Sequence, residues 1–147
     1  MADQHTDSEN VSIELLIAAG QLIRRVTREA FAGDSAATWR ALSVVDQYPG
    51  ITIGTFATGY GCSQPVATRL VGKLVDEALV RRQPGEDARV THLYLTDKGH
   101  EHLANNRKSA ADYLSPGFKW LSDEDIAAVR RTVEIIDRSL NNHDSNL

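Results

Sequence analysis

Between Val11 and Phe31, apolar residues recur at Leu15, Leu16, Ala19, Leu22, Ile23, Val26 and Ala30. That spacing makes one stripe along a long helix, and Arg24, Arg25 and Arg28 fall off it. Gly33-Asp34-Ser35 breaks the pattern. A second helix is predicted from about Ala36 to Gln47, with Trp39, Leu42 and Val44 or Val45 inward, ended by Pro49-Gly50. Ile51 to Cys62 is read as a short helix capped by Thr52, with Phe56, Ala57 and Tyr60 inward and a turn at Tyr60-Gly61. Gly54, Gly59 and Gly61 each weaken it by up to about 1 kcal/mol relative to Ala.

Ser63 then fits an N-cap and Pro65 the first turn of a further helix reaching about Glu77, because a missing N–H costs nothing there. With Val66, Leu70 and Leu74 as its buried side and Val71 at the edge, Pro65, Thr68, Arg69, Gly72 and Asp76 fall on the opposite, exposed side. Gln64 projects from the first turn. Leu79 to Arg82 reads as a short strand, Gln83-Pro84-Gly85-Glu86-Asp87 as a turn, and Val90 to Leu95 as a returning strand with His92 on its surface. Thr96-Asp97 caps a helix carrying Leu103, Ala104, Ala110, Ala111 and Leu114, interrupted at Pro116-Gly117. Ser122 with Asp125 opens a last helix striped by Ile126, Val129, Val133, Ile136 and Leu140.

Composition narrows the class. At 147 residues, 41% apolar and 24% charged, the chain is of one-domain size and ordinary globular make-up. No apolar run approaches the roughly 18 residues of a membrane span, and the expectation is a cytoplasmic protein. The acidic, polar residues 1–10 are expected to form a flexible tail. One cysteine, Cys62, excludes an intrachain disulfide and a zinc site built on several thiolates. The net charge is -4, yet residues 51–100 hold six basic against five acidic side chains, and alone are not acidic. Arg69 and Lys73 lie at helical spacing, Arg81 and Arg82 are adjacent, and Arg89 follows a turn. Such a cluster is either a solvated face or a surface for phosphate.

The order of parts favours the second. The exposed N-terminal half of the Ser63 helix offers amide, hydroxyl and guanidinium groups and no acid, and a DNA major groove admits a helix and displays partners for such groups. A helix N-terminus favours phosphate. A shorter helix precedes it across a tight turn, which is helix-turn-helix order, and a hairpin carrying Arg89 follows, as in winged variants.

Ser63-Gln64-Pro65-Val66-Ala67-Thr68-Arg69-Leu70-Val71-Gly72-Lys73-Leu74, Leu79-Val80-Arg81-Arg82, Asp87-Ala88-Arg89, Leu95-Thr96-Asp97-Lys98-Gly99, and Trp39 with Leu42 together resemble the MarR-type winged-helix transcriptional regulators. The resemblance implies a mainly α fold with a small β-hairpin wing: a winged helix-turn-helix over residues 36–96, flanked by helical dimerisation regions at 11–35 and 97–147. It implies a homodimer joined through the first and last helices, binding double-stranded DNA at a near-palindromic operator. The function implied is a repressor released by a small, often aromatic, effector. By the same resemblance Ser63, Gln64, Pro65, Thr68, Arg69, Lys73 and Arg89 meet bases or phosphates. Asp87 holds the wing against Arg81 or Arg82, and Trp39 lines an effector pocket between the DNA-binding lobe and the dimer helices. Trp39 read alone is a core residue, which is compatible with lining a pocket. No cofactor or metal is expected.

The chain departs from the family at two positions. Gly72 stands where Asp is common, so the backbone approaches DNA there or the residue is merely tolerated. Ala78 stands where a helix-ending Gly is usual, which costs roughly 1 kcal/mol if the position is left-handed and leaves the form of that turn open. Two other readings compete: a winged module that binds protein without reading DNA, and a redox-responsive regulator acting through Cys62, which otherwise is a small buried turn residue. His100 and His102 are two apart and face away from each other on a helix, unlike an i, i+4 ligand pair. Gly59-Tyr60-Gly61 is too short for a phosphate loop. No nucleophile, base and acid stand out as a triad, and no enzymatic activity is expected.

Overall fold

The structure, a computed structural model, describes residues 2–31, 36–87 and 89–144. The order is α1 (Ala2–Glu29), α2 (Ala36–Gln47), β1 (Ile51–Thr52), α3 (Ile53–Tyr60), α4 (Gln64–Asp76), β2 (Val80–Pro84), β3 (Thr91–Leu95), α5 (Asp97–Phe118) and α6 (Asp123–Asp144). The fold is thus mainly helical, with three short antiparallel strands in the order β1-β3-β2. The chain divides into two compact units, Met1–Tyr113 and Leu114–Leu147.

In the first unit, Leu42 and Val45 of α2, Phe56 of α3, Val71 and Leu74 of α4, Val80 and Leu93 of the sheet, and Leu103 of α5 close a single core. Each supplies roughly 1.5–3 kcal/mol of burial. The α3 N-cap is as predicted: the Thr52 hydroxyl accepts the Thr55 amide at 3.2 Å. Gly61 ends α3 at φ 78°, a left-handed turn that costs glycine nothing.

Three boundaries and one helix face differ from the sequence reading. α1 begins at Ala2, so residues 2–10, expected to be a tail, are helical; no Gly or Pro lies among them to interrupt the helix. β2 runs on to Pro84, with Gln83 opposite His92 and Pro84 opposite Thr91, so the turn is confined to the residues after it. A proline is tolerated because β2 is an edge strand. α5 continues through Pro116 to Phe118, since a proline two residues from a helix end removes only one late hydrogen bond. The break expected at Gly33-Asp34-Ser35 lies outside the described residues.

The fourth difference bears on function. The buried side of α4 is Ala67, Val71 and Leu74, while Val66 is exposed and Leu70 half-buried. The helix is therefore turned by about 70° from the wheel built on Val66, Leu70 and Leu74, at 100° per residue. Small Ala67 lets α4 sit close on its neighbours, and bulk alone misjudged the seam.

α4 ends in a Schellman motif: the Leu79 amide donates to the Leu74 carbonyl and the Ala78 amide to Val75, both at 2.9 Å. Ala78 takes φ 59°, so alanine occupies the left-handed position that a helix-ending glycine would usually take. The Thr96 hydroxyl donates to the Ala78 carbonyl at 2.6 Å and accepts the Gly99 amide at 3.0 Å, which caps α5 and ties it to this turn. Gly99 is required there. A Cβ on it would collide with the Leu79 carbonyl.

In the second unit, α6 opens with a reciprocal capping box. The Asp125 amide donates to the Ser122 hydroxyl at 3.1 Å, and the Ser122 amide to the Asp125 carboxylate at 2.9 Å. Hydrogen bonds from the Ser122 hydroxyl and amide hold the Asp125 carboxyl below its ordinary range. Among the described residues no helix is long and apolar enough to cross a membrane.

Candidate nucleic-acid interface

Two elements build this surface. α4 rises from Ser63, whose backbone is extended and whose carbonyl accepts the Ala67 amide at 2.9 Å. Ser63 is thus the N-cap by position, but its hydroxyl makes no capping bond. Pro65 lies in the first turn, as predicted. Gln64, Pro65, Thr68, Arg69 and Lys73 are all exposed, and the Thr68 hydroxyl donates back to the Gln64 carbonyl at 2.9 Å. No acidic residue lies in the first turn.

The second element is the β2–β3 wing. Its turn is shaped by Asp87, whose carboxylate accepts the Arg89 amide at 2.9 Å and whose carbonyl accepts the Val90 amide at the same distance. Asp87 therefore orders the wing through backbone and meets neither Arg81 nor Arg82. Alternation along β2 explains this. Arg81 lies 4.5 Å over the Tyr94 ring of its partner strand and donates to the Gln83 side chain at 2.8 Å, while Arg82 takes the other side of the strand. The Arg89 side chain has no ion-pair partner among the described residues.

Between helix and wing lies a cleft of about 340 Å³ lined by Gln64 and Thr68 of α4, Arg89, Val90 and Thr91 of the wing, and Thr52, Ile53 and Gly54 of the β1–α3 junction. No acidic side chain is among the described residues that line it. Three separate segments of the chain thus present an amide, hydroxyls and a guanidinium in one concavity. The β1–α3 contribution was missed from sequence. It exists because β1 pairs with β3, Thr52 opposite His92, which brings the start of α3 to the wing. His92 supports this junction by donating from Nδ1 to the Gly50 carbonyl at 2.7 Å, since a carbonyl only accepts. It was expected on the strand surface and is half-buried.

The remaining site residues fall elsewhere. Arg69 and Lys73 line a shallower hollow on the other flank of α4, with Ala37, Tyr60, Val66 and Leu70. Lys73 leans toward Glu77 at 3.7 Å, an exposed i, i+4 pair worth a few tenths of a kcal/mol. Gly72 has open space above it, so nothing within the chain requires a glycine there. Trp39 packs on the core edge, its ring 5.3 Å from that of Phe31, and its indole Nε1 is buried without a hydrogen-bond partner among the described residues. Cys62 is half-buried against the same core. Among the described residues no three His, Cys, Asp or Glu side chains gather as metal ligands.

The MarR family model matches residues 35–91, which contain the whole of this cleft. The transcriptional regulator PetP of Rhodobacter capsulatus is 24% identical over 106 residues, covering 71% of this chain and 64% of that protein. The chain thus spans just under two thirds of that curated relative. A MarR family protein from Bacillus stearothermophilus superposes with a TM-score of 0.74 at 20% identity, over 94% of this chain and 97% of that one. A mutant of Staphylococcus aureus MepR, solved bound to an oligodeoxyribonucleotide, superposes with a TM-score of 0.60 at 16% identity, over 88% and 97%.

Proposed function

We propose that this chain, whose residues 35–91 match the MarR family model, is a dimeric, sequence-specific DNA-binding repressor released from a near-palindromic operator by a small ligand. The observation that carries the reading is the acid-free cleft where Gln64 and Thr68 of α4 stand beside Arg89 of the wing. In this reading α4 enters the major groove, where Gln64 and Thr68 read base edges. Ser63, Pro65, Arg69 and Lys73 seat the helix against the backbone, and Arg89 reaches the adjacent minor groove or its phosphates. Asp87 keeps Arg89 in place by fixing the wing turn. The MepR structure with bound oligodeoxyribonucleotide supports the choice of DNA as partner.

Two-fold pairing through α1 and α6 is supported by the apolar stripe each helix carries to solvent: Val11, Leu16 and Ile17 on α1, Val133 and Leu140 on α6. Paired lobes would then address half-sites about one helical turn, roughly 34 Å, apart. Effector release is supported by the buried Trp39 indole N–H, a donor for which the described residues supply no acceptor. Any such effector must bind the DNA-incompetent arrangement more tightly than the competent one.

Selection of genomic fragments by the purified protein, repeated with a panel of aromatic compounds, tests the reading. Arg89→Ala is expected to weaken binding to a selected duplex across sequences. It should also flatten the log–log salt dependence by about 0.9 for each phosphate neutralisation lost. Gln64→Ala is expected to change the recovered consensus. Unchanged affinity and salt slope in Arg89→Ala would remove the wing from the interface.

A further inference from the structure

We infer that Arg40 is a positioning residue for the recognition helix, clamping the α3–α4 turn from α2. The role in DNA reading rests on the function proposed above; the clamp itself does not. The Arg40 Nη2 donates to the Tyr60 carbonyl at 3.1 Å, and its guanidinium carbon lies 4.6 Å from the centre of the Tyr60 ring. That ring stacks in turn on Phe56, 5.6 Å away with 16° between planes, and Phe56 is wholly buried. The chain thus sets cation on ring on core.

The carbonyl held is the one that needs holding. Among the last carbonyls of α3, Ala57 accepts the Gly61 and Cys62 amides and Thr58 the Gly61 amide, whereas Tyr60 at the end of the helix receives its donor from Arg40. A cation at a helix C-terminus is also favoured by the helix dipole. Three residues later the chain reaches Ser63 and the first turn of α4, so a tilt at the Tyr60 peptide is delivered directly to Gln64 and Pro65. Arg40 is not among the residues that line the cleft, and it acts through this turn.

Cys62, the single thiol of the chain, sits inside the turn and reports on it. In the 147-residue chain, Arg40→Met is expected to speed alkylation of Cys62 by N-ethylmaleimide about five- to tenfold, the loss of one charge-assisted hydrogen bond. Arg40→Lys should stay within about twofold of the unaltered protein, since an ammonium still reaches a carbonyl. Tyr60→Leu, which removes the ring but keeps the carbonyl, should fall between them. On a duplex selected by the unaltered protein, Arg40→Met should bind more weakly with an unchanged salt slope. An unchanged alkylation rate in Arg40→Met overturns the clamp. A slope shallower by about 0.9 also overturns it, because it makes Arg40 a phosphate contact. If no duplex is ever selected, the DNA reading falls and the thiol rates still decide the clamp.

Discussion

The winged region and the long helices at the chain ends solve opposite problems with the same residue types. From α2 to the start of α5, large apolar side chains from every element meet in one core, where Phe56, Leu42, Leu74 and Leu93 are all fully enclosed. Along α1 and α6 the same kinds of side chain lie open, with Leu16 at 74% and Leu140 at 58% exposure. Within a single chain only the first arrangement is complete. An amphipathic stripe shows that a helix will be covered; it does not show by what. The polar groups divide the same way. In the winged region hydrogen bonds join distant elements, as Thr96 does to the Ala78 carbonyl and His92 to Gly50. On α1 and α6 they run mostly within a turn, as from Thr27 to Ile23 and Ser139 to Ile135.

The sharpest way to break the contrast is at the tightest point of the winged region. Gly99→Ala forces a methyl group into the Leu79 carbonyl, where backbone meets backbone and no rotamer can yield. A loss of about 3 kcal/mol or more is expected in chemical denaturation, at the upper end of what overpacking costs. Near-normal stability would mean that the α4–β2 turn shifts freely against α5.

Leu16→Glu probes the opposite region. The side chain is mostly exposed, so within one chain the change should cost no more than about 0.5 kcal/mol. If α1 is a seam between copies, sedimentation should instead show a large shift toward single chains at micromolar concentration. An unchanged mass would place any seam elsewhere.

The smallest effect sharpens the comparison. Ala78 sits at φ 59° in a turn otherwise completed by backbone bonds, so Ala78→Gly should relieve roughly 1–2 kcal/mol of left-handed strain. Part of that gain is offset by the greater freedom of glycine in the unfolded chain. A net gain of about 0.5–1 kcal/mol is expected, read as a higher denaturation midpoint with an unchanged slope. A loss would show that the alanine methyl makes a contact worth more than the strain.

Local rules decided much of this protein from the residues alone. Thr52, Ser63, Thr96 and Ser122 mark helix starts because a side chain or extended backbone there can take up orphan amides, and each stands just before a helix in the structure. The exposed half of α4 was legible because Gln64, Pro65, Thr68 and Arg69 follow an N-cap at helical spacing. What escaped was whatever depends on two distant segments meeting. The rotation of α4 turned on how closely Ala67 could approach its neighbours, which a wheel weighted by bulk cannot express. Asp87 was assigned an arginine and found the Arg89 amide, since the tightness of the turn, and not charge, set its reach. Thr52 and Gly54 joined the cleft only through the β1–β3 pairing, and Arg40 found Tyr60 only through the packing of α2 on α3. Periodicity and capping act over one or two turns of chain, so sequence carries them in full; partners across the fold are chosen by close packing, which exists only once the chain has closed on itself.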